Sequence, residues 1–164
     1  MPYKVAFTGH RSIAEEEVRR AITAYLSQRL TEHPNLIVIT GGAIGTDMVA
    51  AEAALELGLE LWVCLPFHPR IHTARWSEAQ RDRLRFIIAH ADKVTIVNQE
   101  FSLAGYQRRN ERMVNVADEL CAWFDGHSGG TANCIAYARA RKVPCTYLCP
   151  RACNVVYPSE TDPF

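Results

Sequence analysis

Short apolar runs that stop at glycine or proline alternate along this chain with longer stretches in which apolar residues recur every three or four positions. Tyr3 to Thr8 reads as a first strand, ending at the polar turn Thr8-Gly9-His10-Arg11. Ser12 then stands as an N-cap, and Glu15, Glu16 and Glu17 fill a first helical turn, where carboxylates complement the helix dipole. Val18, Ile22, Tyr25, Leu26 and Leu30 continue at helical spacing as one apolar face, and the helix ends before Pro34. Leu36 to Thr40 is a second strand, Met48 to Leu57 a second helix closed by Gly58, and Leu59 to Leu65 a third strand. A long loop, Pro66 to Arg75, precedes a charged helix from Ser77 to about His90. Lys93 to Asn98 is a fourth strand, and the loop Gln99 to Gly105 leads into a helix carrying Tyr106 to Met113. Glu119 to Phe124 is a fifth strand, Ala132 to Ala140 a helix, and Val143 to Leu148 a last strand.

The strands are apolar almost continuously rather than at every second position. Strands of that kind alternating with helices predict an α/β fold, one doubly wound domain whose mostly parallel sheet of about six strands is covered on both faces. The domain spans residues 1–148, and 149–164 forms a tail with little periodicity. Right-handed crossovers bring the C-terminal ends of the strands to one edge, where ligands bind in such folds.

Composition narrows the partners. The 164 residues are 48% hydrophobic, enough for one domain with a real core. Lys plus Arg and Asp plus Glu are both 18, so the formal charge is zero and nucleic acid is not the expected partner. No apolar run is long enough to span a membrane and no secretory leader precedes the first strand, so a cytoplasmic protein without membrane contact is expected. Six cysteines do not then read as a disulfide framework. Cys64 and Cys121 fall inside apolar runs as core residues, while Cys145, Cys149 and Cys153 lack the CxxC spacing and neighbouring histidine of a metal site. His68 and His72 share the long loop and fit solvent exposure or contact with substrate phosphate better than a metal pair. Neither a metal nor a cofactor is expected.

Two glycine turns carry the candidate chemistry. Gly41-Gly42-Ala43-Ile44-Gly45-Thr46-Asp47 joins the second strand to its helix, and Asp125-Gly-His-Ser-Gly-Gly-Thr-Ala-Asn133 joins the fifth strand to the next. Such turns aim backbone N–H groups and the positive end of a helix at one place, which suits a phosphate. The first turn is neither a P-loop nor a complete GxGxxG. Arg108, Arg109 and Arg112 lie nearby in sequence order on one helix, where a guanidinium facing a phosphate turn forms a bidentate clamp.

Taken with Tyr106-Gln-Arg-Arg-Asn-Glu-Arg-Met-Val114 and with Leu65-Pro-Phe67 and Trp76, these motifs resemble the SLOG superfamily, and within it the YpsA-like branch, over roughly residues 3 to 148. The resemblance implies a Rossmann-like, nucleotide-binding domain. Two relatives sharpen it. The lonely-guy type phosphoribohydrolases carry RKxxM, matched here by Arg109-Asn-Glu-Arg-Met113 with Asn110 in place of Lys, so that Arg109 inherits a substrate-orienting role. Their PGGxGTxxE motif supplies a Glu to the ribosyl cation, and here the two alignments put Cys134 or Ala136 at that position. The second relative, the DNA-processing protein A family, binds single-stranded DNA through a similar glycine turn and Arg-Asn pair.

The resemblance therefore implies a protein that binds a nucleotide or nucleotide-derived small molecule and cleaves its N-glycosidic bond. Gly41, Gly42, Ala43, Gly45 and Thr46 with Gly129, Gly130, Thr131 and Asn133 are expected to line the ligand, Arg109 and Asn110 to orient it, and Asp47 or Asp125 to face the ribose as catalytic carboxylates. Thr8, Gly9, His10 and Arg11 close the first side. A non-catalytic sensor of a nucleotide-derived signal is the alternative, and single-stranded DNA binding the third reading. A homodimer is expected, with the tail as part of its contact.

Overall fold

The computed structural model describes residues 1–149. In chain order they form β1 (Tyr3–Gly9), α1 (Glu15–Glu32), β2 (Leu36–Thr40), α2 (Thr46–Glu56), β3 (Glu60–Leu65), α3 (Pro69–His72), α4 (Glu78–His90), β4 (Lys93–Ile96), α5 (Leu103–Val116), β5 (Glu119–Trp123), α6 (Gly130–Ala140) and β6 (Cys145–Tyr147). The strands make one sheet in the order β4-β3-β2-β1-β5-β6, every neighbouring pair parallel. The order reverses at β1, whose neighbours are β2 and β5. A crevice opens above that point, outside the strands' C-terminal ends.

Alternate side chains of the central strands feed two cores, as the pleat requires. Val5, Phe7, Val38, Leu61, Val63, Cys121 and Trp123 meet Val18, Ile22 and Leu26 of α1, the apolar residues of α2, and Leu84 and Ile87 of α4. On the other face Ala6, Ile37, Ile39, Leu120 and Ala122 meet Met113 and Val114 of α5 and Cys134, Ile135 and Ala138 of α6. The sheet is thus doubly wound. No helix among the described residues is long and apolar enough to cross a membrane.

Several boundaries differ from the sequence pattern for local reasons. Ala14, not Ser12, is the N-cap of α1, in extended conformation and without a side-chain cap bond. The loop after β3 contains the single-turn helix α3, with Pro69 at its start and His68 Nδ1 accepting from Arg70 N at 3.2 Å. Ser77 caps α4 in a reciprocal capping box with Gln80. Ser102 caps α5 by accepting from Gly105 N at 3.1 Å, so the helix begins three residues before Tyr106, and a Cβ on Gly105 would lie 2.5 Å from the Phe67 ring. The tail beyond Cys149, including Cys153, lies outside the described residues.

Candidate functional site

Above the C-terminal edge lies a cavity of about 1150 Å³. One wall comes from the β1–α1 loop (Thr8, Gly9, His10, Arg11) and another from the turn before α6 (Ser128, Gly129, Gly130, Thr131) with Asn133. Ala43, Ile44, Asp47, Arg109 and Asn110 form the floor. The remaining side is the segment from Arg70 to Trp76 together with Phe101, Leu103 and Tyr106.

The two glycine turns play different parts. The first is closed by the protein itself. A Cβ on Gly41 would stand 2.7 Å from both Arg109 Nη1 and Asp47 Oδ2, and one on Gly42 would stand 2.6 Å from the Leu65 side chain. At Gly45, in the left-handed region at φ +90°, a Cβ would come 2.6 Å from the His10 carbonyl oxygen. The amides there are engaged too, Thr46 N donating to His10 O at 3.2 Å and Ala43 N to Asp47 Oδ2 at 3.2 Å. Gly41, Gly42, Gly45 and Thr46 are buried and lie beneath the cavity wall, while Ala43 and Asp47 reach it.

The second turn is open. A Cβ on Gly129 or Gly130 would meet nothing within 4 Å, and Gly129 has φ +139°, a conformation glycine adopts without strain. The α6 N-terminus carries no side-chain cap bond. The first turn of this 11-residue helix, its positive end, lines the cavity, and its amides have no side-chain acceptor among the described residues.

Arg109 and Asn110 tie the turns together. Arg109 is 6% exposed, donates from Nη1 to the Gly41 carbonyl and from Nε to Asn110 Oδ1 at 3.0 Å. Asn110 Nδ2 in turn reaches Gly130 O at 3.4 Å. Arg108 and Arg112 are exposed on other faces of α5. Asp47 is buried beside Arg109, and loss of hydration raises its pKa while Arg109 and the Ala43 and Gly41 amides pull it back. It is the one carboxylate lining the cavity among the described residues. Asp125 is set apart from the lining. Its Oδ1 lies 2.8 Å from His10 Nε2 and 2.7 Å from His127 Nδ1. Burial works to raise its pKa but is outweighed by the His127 bonds and by His10, so Asp125 stays ionised below the usual carboxylate range. His10 also accepts from Asp125 N at 3.0 Å in the tautomer that leaves Nε2 unprotonated, so this pair braces β5 against β1 in either state.

His72 has a structural bond: Nε2–H donates to the Gly42 carbonyl at 2.8 Å, and Trp76 packs edge-on at 4.8 Å between ring centroids. Burial drives its pKa down to about 4, with Arg109 and Arg11 pushing the same way and the Gly42 bond opposing. His68, exposed, caps α3 instead of meeting it. The apolar side of the cavity was not among the residues expected from sequence. Phe101 is 57% exposed and Leu103 81%, and Phe67 holds Phe101 and Tyr106 in place at 5.2 and 5.1 Å. Large apolar residues in a loop at the binding edge were the available signal.

A family model, that of the YspA SLOG family, matches residues 5–147. The chain belongs to that family. It is 27% identical over 140 residues to the SPbeta prophage-derived protein YoqJ of Bacillus subtilis, covering 75% of this chain and 81% of YoqJ. Two solved structures share the fold. DNA processing protein A of Helicobacter pylori, described for its single-stranded DNA binding mode, superposes with a TM-score of 0.66 at 18% identity, over 89% of this chain and 65% of that one. The Moco carrier protein of Chlamydomonas reinhardtii gives 0.57 at 22% identity, over 90% and 76%.

Proposed function

We propose that this protein binds a nucleotide or nucleotide-derived small molecule in the cavity, phosphate against Gly129, Gly130 and Thr131, base against Phe101, Leu103 and Tyr106. The observation that carries this reading is the open, uncapped N-terminus of α6 facing an exposed apolar wall across one cavity. Free amides at a helix start suit an anion. Apolar surface suits a flat ring, and few protein folds leave such surface in a cleft without use. The family membership and the ligands named for the two structural neighbours fit the same class.

N-glycosidic hydrolysis is the finer reading, with Asp47 as the carboxylate. Water would add to the anomeric carbon as the base leaves, and positive charge developing on the ribose would be stabilised by Asp47 in its ionised form. A sensor without catalysis is the second reading, favoured by two observations: Cys134 and Ala136 are buried where the hydrolases carry Glu, and Asp47 is already engaged by Ala43 N–H. A homodimer belongs to the same proposal, supported by edge strand β4, which exposes Val94 and Ile96. Light scattering at micromolar concentration tests it, a monomer mass counting against it.

Titrating the purified protein with nucleoside 5′-monophosphates while assaying free base separates the readings. Binding with base release that Asp47→Asn abolishes supports the hydrolase. Binding without release supports the sensor. Tight binding of single strands with none of mononucleotides would replace both.

A further inference from the structure

Charge is distributed unevenly between this cavity and the rest of the molecule. The chain is formally neutral, yet its cavity is lined by Arg11, Arg70, Arg75 and Arg109 against the single carboxylate of Asp47. Elsewhere the arginines of α1 and α4 largely find partners: Arg19, Arg29, Arg83 and Arg85 all pair with carboxylates. Arg11, Arg70 and Arg75 have neither an ion pair nor a side-chain hydrogen bond among the described residues. Two of them, Arg70 and Arg75, also come from a different side of the cavity than the α6 turn. Arg70 and Arg75 follow β3 and Gly129 to Thr131 follow β5, while the loop carrying Arg11 follows β1, next to β5. In the sheet, β3 and β5 are three strand spacings apart, about 14 Å. A phosphate at the α6 turn is thus well separated from the backbone that carries Arg70 and Arg75.

Resting on the nucleotide-binding reading, we infer that the ligand carries two separated phosphates, one at the α6 turn and a second held by Arg70 and Arg75 across the nucleoside. Planar guanidinium forks match phosphate oxygens bidentately, and two of them left unpaired on one side of a cleft form a site for an anion of more than one charge. Phosphates on the 5′ and 3′ positions of one ribose are held apart by the sugar, and the extended arginine side chains span the remaining distance. Two adjacent phosphates of a 5′-diphosphate stay at one end. The cavity volume accommodates the larger molecule, being at or above the upper end of the usual range for small-ligand pockets.

Calorimetric titration with the 5′-monophosphate, 5′-diphosphate and 3′,5′-bisphosphate of all four nucleosides tests this. The expected result is that the bisphosphate of the preferred base binds about tenfold or more tighter than its 5′-monophosphate and 5′-diphosphate. Arg70→Gln combined with Arg75→Gln should remove that gain and leave 5′-monophosphate affinity unchanged. Both side chains are exposed, so the variant is expected to fold, and an unchanged thermal midpoint verifies it. Equal affinity for bisphosphate and monophosphate would overturn the second site while leaving the first. Equal tightening by 5′-diphosphate and bisphosphate, or equal weakening of all three ligands in the variant, would show a diffuse positive field and overturn it too. No binding of any of the three would end the underlying reading as well. Affinity that keeps rising with each nucleotide added to a 5′-phosphorylated oligodeoxynucleotide would assign the arginines to a strand and overturn the small-molecule form.

Discussion

Arg109 joins the floor of the cavity to both of its glycine turns, through the Gly41 carbonyl directly and through Asn110 to Gly130. A lysine is a point charge and cannot make both bonds. Arg109→Lys should therefore cost about 1.5–3 kcal/mol of folding stability, the scale of hydrogen bonds to a charged group, in addition to weakening nucleotide binding. Urea denaturation of this variant beside Arg108→Ala and Arg112→Ala checks it, since the two exposed controls should stay within about 0.5 kcal/mol of wild type. The buried side of Arg109 was not legible in the sequence, which marked the residue as a ligand contact without the Gly41 carbonyl that only the fold brings to it. His72 supplies a pH signature. In the unfolded chain it binds a proton below its ordinary value of 6.5, whereas in the folded chain it does so only below about 4. Stability is accordingly lost as pH falls from 6.5 toward 4, by about 3 kcal/mol at the end of that window. His72→Gln, which keeps an N–H for the Gly42 carbonyl, should flatten the slope of stability against pH there, and an unchanged slope would remove His72 as its source.

At the scale of elements, two turns with similar glycine-rich sequences have opposite fates. The turn before α2 is filled by Arg109, Asp47, Leu65 and the His10 and Arg11 carbonyls, whereas the turn before α6 is open. Composition could not separate them, because what closes the first turn arrives from α5, β3 and the β1–α1 loop. Gly130→Ala adds a Cβ into open space at a helix start, so folding should be unaffected while approach of an anion is hindered. We expect a loss of about 1.5–3 kcal/mol in nucleotide binding, measured by calorimetry, with an unchanged thermal midpoint. At the opposite edge of the sheet Glu119 clamps β5 to β1, α1 and β6, accepting from Tyr3 at 2.9 Å, Arg29 Nε at 3.0 Å and Thr146 at 2.6 Å. Burial works to raise its pKa, but these bonds together with Tyr25 outweigh it and hold the carboxylate ionised. Glu119→Gln removes the buried charge that faces Arg29, leaving only Glu32 at 3.7 Å, and should destabilise the protein by about 3–5 kcal/mol in urea denaturation, without altering nucleotide affinity of the folded fraction.

For the whole molecule, the parallel sheet and the edge that holds the cavity were readable in advance because apolar runs such as Leu36 to Ile39 and Leu120 to Phe124 are stable only when helices cover both faces. The position of Thr8 to Arg11 beside Gly129 to Thr131 followed from the same topology. The apolar wall did not, since Phe101 and Leu103 belong to a loop and a helix start whose direction is fixed by Phe67 and Gly105. Asp125 stands outside the cavity lining for a similar reason: its turn aims it at His10 and His127, which do line the cavity. The central claim is that a nucleotide phosphate meets the α6 N-terminus. Amide chemical-shift mapping during titration with a nucleoside 5′-monophosphate tests it most directly in a protein of 18.4 kDa. The account predicts that Gly129, Gly130 and Thr131 shift most and saturate together with Tyr106 and Leu103, while Gly41, Gly42 and Gly45 move little. Saturable shifts centred on the turn before α2, or on no part of this cavity, would contradict it.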